Sequence, residues 1–175
     1  MKTVITLTKV FFKGHPKAGE ETRFADLVKT GGKIHTCRDN ADYWMKKIET
    51  LKATGGTLCI REWSDRPYRS PQNTIAEIPA ERGHASKLFL FRYRAFVFDD
   101  THTTYNVVTT YKARVNGKDV DIAKLARNDG FESEEDFTAF LDPLFDKYKL
   151  RNKDMYGKMR RIIRLAIIHF NEFNY

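Results

Sequence analysis

Three side chains suited to binding or transforming a polar ligand lie close together in the first quarter of the chain. The glycine pair 31–32 is followed by Lys33, Thr36 and Arg38. Thr36 and Arg38 are two residues apart, so in a strand they project from the same face. Lys33 joins them only if the glycine pair bends the chain and keeps Lys33 out of the strand. Arg38 would then offer a forked donor, and Lys33 a point charge, to an anionic or carbonyl-bearing ligand. The alternative is ordinary surface charge at a strand end.

A second group combines guanidinium groups with aromatic rings. Five such residues fall within nine positions: Arg61, Trp63, Arg66, Tyr68 and Arg69. This mixture suits phosphate contact and base stacking in single-stranded nucleic acid. The alternative is a buried tryptophan beside a turn that Pro67 and Tyr68 pack.

The net charge of +8 is distributed unevenly. Residues 129–146 hold seven acidic side chains and no basic one, whereas residues 147–175 hold eight basic and two acidic side chains. The basic tail includes a cluster formed by Lys158, Arg160, Arg161 and Arg164. A basic body with an acidic cap indicates a nucleic-acid partner, and a mixed solvated surface is the alternative.

The residue patterns predict one domain of the α+β class. Strands are expected over residues 3–12, 34–38, 57–63, 73–78, 87–98 and 105–115. Helices are expected between Thr22 and Gly31, over residues 41–51 and 120–128, and from Ser133 to about residue 148. Ser133 with Asp136 resembles a capping box. Residues 163–173 fit either a helix or a strand, and their β-branched isoleucines favour a strand.

Several classes of protein are not expected. The sequence has no apolar run of about 18 residues, and its first segment lacks the features of a signal peptide, so we predict a cytoplasmic protein without membrane contact. The two cysteines, Cys37 and Cys59, form no pattern typical of a zinc site. We therefore predict no metal and no cofactor, and an inert buried thiol at Cys37.

Several segments together are similar to a known family. Residues 23–28 followed by residues 32–38, Gly-Lys-Ile-His-Thr-Cys-Arg, resemble the G-x-K-x-x-T-x-R motif of the ASCH domain, a branch of the PUA-like superfamily. Residues 126–133, Ala-Arg-Asn-Asp-Gly-Phe-Glu-Ser, resemble a later helical turn of that family. Residues 61–70 and 167–173 resemble segments of longer members found in phages and mobile elements.

The resemblance implies a PUA-like mixed β-barrel with peripheral helices and a cleft lined by Lys33, Thr36, Arg38 and Asp129. One branch of such folds binds RNA or a modified nucleobase, so RNA or a modified nucleoside is the expected partner. The complete predicted ligand-binding set is Lys33, Thr36, Arg38, Arg61, Trp63, Tyr68 and Arg69.

Another branch is an amidohydrolase that removes the acyl group from N4-acylated cytidine nucleosides. Its catalytic positions match Lys33, Thr36 and Asp129, with Asp where that branch uses Glu. In such an enzyme Lys33 would take the proton of the Thr36 nucleophile, Asp129 would pass a proton to the leaving amine, and Arg38 would hold the substrate.

Overall fold

A computed structural model describes residues 1–101, 103–147, 152–153 and 159–175. These residues form nine strands and four helices. The strands are β1 (Lys2–Leu7), β2 (His35–Arg38), β3 (Thr57–Trp63), β4 (Gln72–Pro79), β5 (His84–Phe98), β6 (Tyr105–Val115), β7 (Lys118–Val120), β8 (Asn152–Lys153) and β9 (Met159–His169). The helices are α1 (Phe24–Thr30), α2 (Ala41–Ala53), α3 (Ile122–Asn128) and α4 (Glu134–Lys147).

The strands form two sheets. The smaller sheet has the order β1-β3-β4, with β1 parallel to β3. The larger sheet has the order β2-β9-β5-β6-β7, and β8 adds to β9. Neither sheet closes into a barrel through the strand pairs of the described ranges. The α+β class is thus confirmed, whereas the PUA-like barrel is not, because the two sheets share no strand and each keeps its own edges.

The last described strand, β9, is an interior strand of the larger sheet. β9 pairs antiparallel with β2 on one side and with β5 on the other. The residues from Leu165 to Ile168 are fully buried on both faces of the strand, which explains why this segment is rich in isoleucine. The β-branched isoleucines in turn favour a strand over a helix. The prediction of a strand in the tail is therefore confirmed, with its bounds shifted to Met159–His169.

One hydrophobic core joins the two sheets to all four helices. Ile60 of β3 and Leu88 of β5 belong to the same buried cluster as Phe24 of α1, Leu51 of α2 and Phe137 of α4. Helix α4 begins as the sequence predicts, since the Asp136 main-chain N–H donates to Ser133 Oγ at 3.1 Å. The predicted end of this helix near residue 148 lies outside the described residues.

Two predicted elements differ from the structure. The strand expected over residues 3–12 ends at Leu7, because the chain then turns to pack Phe11 against Phe24 and Phe131 in the core. The helix expected from residue 120 begins at Ile122, after the short strand β7, and Asp121 caps it by accepting the Ala123 N–H at 3.0 Å. None of the four described helices is long and apolar enough to cross a bilayer.

Candidate functional site

The segment that carries Lys33 is held between helix ends and the last strand. Gly31 ends α1 with a left-handed φ of 80°, a conformation that suits glycine. The Lys33 N–H donates to Leu27 O at 3.0 Å, and the Ile34 N–H donates to Asn128 O at 2.9 Å. Strand β2 starts only at His35. Lys33 therefore lies before the strand, which is the arrangement that allows it to join Thr36 and Arg38.

Asp129 is positioned by the C-terminal end of α3. It follows the last residue of that helix, and its N–H donates to Leu125 O at 3.0 Å. Gly130 comes next with a φ of 84°. A Cβ at this glycine would lie 3.1 Å from the Lys33 Cβ, so the close approach of the two segments requires the absence of a side chain.

Lys33 and Asp129 form a buried ion pair. The Lys33 Nζ donates to Asp129 Oδ1 and to the Asp129 main-chain oxygen, and it lies 4.3 Å from the centre of the Phe24 ring. The two side chains are only 1% and 5% exposed. Burial lowers the pKa of Lys33 below its usual value, and the neighbouring carboxylate opposes that shift.

The second carboxylate oxygen of Asp129 faces strand β2. Asp129 Oδ2 accepts the main-chain N–H of Cys37 at 3.0 Å and lies 3.9 Å from His35 Nδ1. The other ring nitrogen, His35 Nε2, is 2.6 Å from the Tyr175 hydroxyl, which also accepts a hydrogen bond from Asn128 Nδ2 at 3.0 Å. Burial lowers the pKa of His35 to about 4, so its ring is neutral at pH 7.

All four residues of the predicted cleft line one small cavity. Lys33, Thr36, Arg38 and Asp129 surround it together with apolar side chains that include Phe24 and Phe140. Its volume of about 20 Å³ holds a single water molecule and no larger ligand. Within the described residues, no hydrogen bond joins Lys33 Nζ to Thr36, because the ammonium group is turned toward Asp129.

A larger groove adjoins the cavity. The two share Cys37, Arg38, Phe140 and Leu141 as lining residues. The groove has a volume of about 440 Å³ and adds Phe12 and Trp44, together with Asp39, Pro143 and Leu144, to its lining. Arg38 connects it to the smaller sheet, since Arg38 Nη2 donates to Thr6 O at 2.6 Å. The groove thus combines aromatic walls with a guanidinium group, in the size range of small-molecule sites.

The second predicted group lies apart from the cavity and the groove. Arg61 and Trp63 belong to β3, and Tyr68 and Arg69 to the exposed loop after it. Tyr68 is 90% exposed, and its ring centre lies 5.3 Å from that of Trp63. Arg61 pairs in register with Thr6 of β1, which places this group one strand away from Arg38.

Much of the uneven charge is balanced within the molecule. The acidic helix α4 contributes Asp142 and Asp146 to the buried guanidinium of Arg92, at 2.6 and 3.0 Å. Two members of the basic tail cluster are also paired, Arg161 with Asp146 and Arg164 with Asp42. Lys158 lies outside the described residues. The tail cluster is therefore a poorer candidate for phosphate contact than its sequence indicates.

Three functional candidates were not recognised in the sequence. Cys37 was expected to be an inert buried thiol, and His35 was not among the predicted site residues, yet both lie beside the Asp129 carboxylate. Their spacing of two residues in a strand, which puts them on one face, was the available signal. Trp44 lines the groove although its spacing in α2 predicts only a core position.

Comparison with protein-family models, with curated proteins and with solved structures finds no match to this chain.

Proposed function

We propose that this chain is an ASCH-type, PUA-like domain that binds a nucleoside, either free or within an RNA strand. One observation carries the proposal. The four positions that match the family motif and its later helical turn, Lys33, Thr36, Arg38 and Asp129, line a single cavity beside an aromatic groove of about 440 Å³. Asp129 is 96 positions from Lys33 in sequence, so its convergence on the other three residues is not a consequence of proximity along the chain.

The groove has the chemistry that a nucleobase requires. Trp44, Phe12 and Phe140 supply aromatic surfaces on which a base can stack, a contact worth about 1–3 kcal/mol per base. Arg38 uses one N–H donor to bind Thr6 O. Because a guanidinium group has five N–H donors, its remaining donors can reach a base carbonyl or a phosphate. The cavity behind the groove has room for one water but not for a sugar or a base. The ligand therefore occupies the groove and directs a polar edge toward the cavity.

The ring pair of half-buried Trp63 and exposed Tyr68 supports RNA as the source of that nucleoside. Arg61, on the same strand as Trp63, lies in register with Thr6, whose main-chain oxygen accepts from Arg38, and the exposed side chain of Arg69 follows Tyr68. In an RNA strand, a neighbouring base would stack on this pair while Arg69 contacts the phosphate backbone. A free nucleoside would use the groove alone.

Titration distinguishes these sources. The protein is titrated with cytidine, N4-acetylcytidine and a short single-stranded RNA at two salt concentrations, with calorimetry as the readout. Trp44→Ala is expected to weaken every ligand that binds by about tenfold or more, since it removes a stacking surface. Trp63→Ala is the matched control, expected to weaken RNA only. The absence of binding by all three ligands, or full binding by Trp44→Ala, would overturn the proposal.

Amidohydrolysis of an N4-acylated cytidine nucleoside is the second candidate. It is favoured by burial, which lowers the pKa of Lys33 and so moves this amine toward the neutral form that a general base needs. Thr36 Oγ1 would attack the acyl carbonyl and give its proton to the neutral amine of Lys33, and Asp129 would relay that proton to the leaving amine as the C–N bond breaks. Water would then hydrolyse the ester formed on Thr36 and release the acid. It ranks second because Lys33 donates to Asp129 rather than contacting Thr36.

The assay for this activity is incubation with N4-acetylcytidine and measurement of released cytidine. Thr36→Ala is expected to abolish turnover, with Thr30→Ala, a replacement on the exposed end of α1, as the control. Turnover that survives Thr36→Ala would exclude the nucleophile.

A further inference from the structure

Three side chains of different chemistry converge beside strand β2. One ring nitrogen of His35, Cys37 Sγ and a carboxylate oxygen of Asp129 all lie within 4.8 Å of one another. His35 and Cys37 share one face of β2, and Asp129 approaches from the end of α3. A nitrogen, a sulfur and an oxygen ligand are the combination from which proteins build sites for Zn²⁺ and related transition metals.

The histidine in this cluster has an unpartnered nitrogen. His35 is fully buried, and its Nδ1 has no hydrogen-bond partner in the described part of the chain. The opposite nitrogen, Nε2, is held at 2.6 Å by the Tyr175 hydroxyl. With the proton on Nε2, Nδ1 presents a lone pair toward Asp129. Metal-binding histidines are typically oriented in this way, by a hydrogen bond to the ring nitrogen that does not bind the metal.

The separations are somewhat wider than those around a four-coordinate ion. Tetrahedral bonds of about 2.0–2.3 Å separate neighbouring ligand atoms by about 3.3–3.8 Å, whereas His35 Nδ1 lies 3.9 Å from Asp129 Oδ2 and the three ligand atoms lie within 4.8 Å of one another. Metal binding would therefore draw the ligand side chains together by up to about 1 Å. The cavity of about 20 Å³ is lined by Cys37 and Asp129 and has room for one water. Three protein ligands with a water in the fourth position are typical of zinc sites that remain open to a substrate.

We propose that His35, Cys37 and Asp129 bind one Zn²⁺ ion, with a water molecule from the adjoining cavity as the fourth ligand. Lys33 contacts Asp129 Oδ1 and leaves Oδ2 for the metal, so it positions the carboxylate. Its positive charge opposes the metal, and the thiolate that Cys37 becomes on binding offsets that charge. The proposal does not depend on nucleoside binding.

Cobalt is a suitable probe because Co²⁺ bound to a thiolate absorbs in the near ultraviolet. The full chain is treated with EDTA, freed of the chelator and titrated with Co²⁺. We expect one equivalent to bind with a thiolate absorption band, and Zn²⁺ to remove that band by displacement. Cys37→Ser is expected to abolish the band, and Asp129→Asn to weaken Co²⁺ binding by about tenfold or more. The matched control is Cys59→Ser, which changes the other cysteine, located on β3, and should keep the band.

No band with the unaltered protein, or a band that survives Cys37→Ser, would overturn the proposal, as would a band lost in folded Cys59→Ser. Circular dichroism verifies that each variant folds.

If Cys37→Ser does not fold, a second experiment uses the unaltered protein. The protein is alkylated with iodoacetamide, and the extent of reaction at each cysteine is measured by mass spectrometry of the cysteine peptides. Zn²⁺ should then slow alkylation of Cys37 about tenfold or more and leave Cys59 unchanged. Equal rates at Cys37 with and without Zn²⁺ would overturn the proposal.

Discussion

Removing one partner of the Lys33–Asp129 pair should destabilise the protein strongly. Both side chains are almost completely buried, at 1% and 5% exposure, so the survivor cannot recover its hydration. Breaking a buried pair from one side typically costs about 3–5 kcal/mol, whereas an exposed pair contributes about 0–1 kcal/mol. Lys33→Met keeps an unbranched apolar stem, one atom shorter, and leaves the Asp129 carboxylate with the Cys37 N–H. We expect a loss of about 4 kcal/mol.

The loss is measured by urea denaturation followed by circular dichroism, on protein treated with EDTA so that bound metal does not contribute. With a denaturant dependence of about 2 kcal/mol per molar urea, a loss of 4 kcal/mol moves the midpoint by about 2 M. Lys2→Met is the matched control. It breaks an exposed pair with Glu77 and should cost less than about 1 kcal/mol.

A double-mutant cycle separates the ion pair from the packing of the lysine stem. Asp129→Asn removes the charge that Lys33→Met leaves behind, so the double variant should be about 2 kcal/mol more stable than the sum of the single losses predicts. Purely additive losses, or a loss below about 1 kcal/mol for Lys33→Met, would refute the argument that charge burial dominates at this site.

Three further perturbations test other features of the fold. Gly130→Ala should cost at least about 1 kcal/mol more than Gly117→Ala in urea denaturation, because both have positive φ but only the first Cβ would press on a neighbour; equal losses would contradict this. Arg92→Met should cost only about 1 kcal/mol by the same measurement, because Asp142 and Asp146 are 30% and 62% exposed and keep Arg94 and Arg161 as partners; a loss as large as that expected for Lys33→Met would contradict this. Burial lowers the pKa of His35 to about 4 and of His169 to about 3, below about 6.5 in the unfolded chain, so the unfolded state takes up protons first as the pH falls. In EDTA-treated protein, stability should therefore decrease below pH 6.5 by about 1.4 kcal/mol per pH unit for each of these two histidines, or about 4 kcal/mol from both at pH 5, and His169→Gln should lower the slope by about 1.4 kcal/mol per pH unit. A flat profile between pH 6.5 and 5 would disagree.

Most helices and strands were predicted from the sequence because the residues that determine each of them lie within the element or directly beside it. The cap at Ser133, the glycine stop after α1 and the isoleucine run of β9 each follow from neighbouring residues. The pairing of sheets depends instead on contacts between distant strands. The local periodicity of the sequence does not predict the parallel pairing of β1 with β3 or the separation into two sheets. The barrel expected from the family resemblance is not found in the structure.

The candidate site was predictable only in part, for a similar reason. Lys33, Thr36 and Arg38 are close in sequence, and their spacing limits how they can be arranged. The convergence of Asp129 on this segment came from the family resemblance rather than from spacing. The role of His35 depends on Tyr175, which is 140 positions away, so no local pattern could distinguish it from a structural histidine.

The central position of β9 also governs when the candidate site can form during synthesis. In the described residues β2 pairs only with β9, and His35 lies opposite His169. Contacts of such long range raise the contact order and slow folding. On the ribosome, β2 therefore has no strand partner until residues 166–169 have emerged. The hydrophobic strands made in between are exposed during that interval and are candidates for chaperone binding.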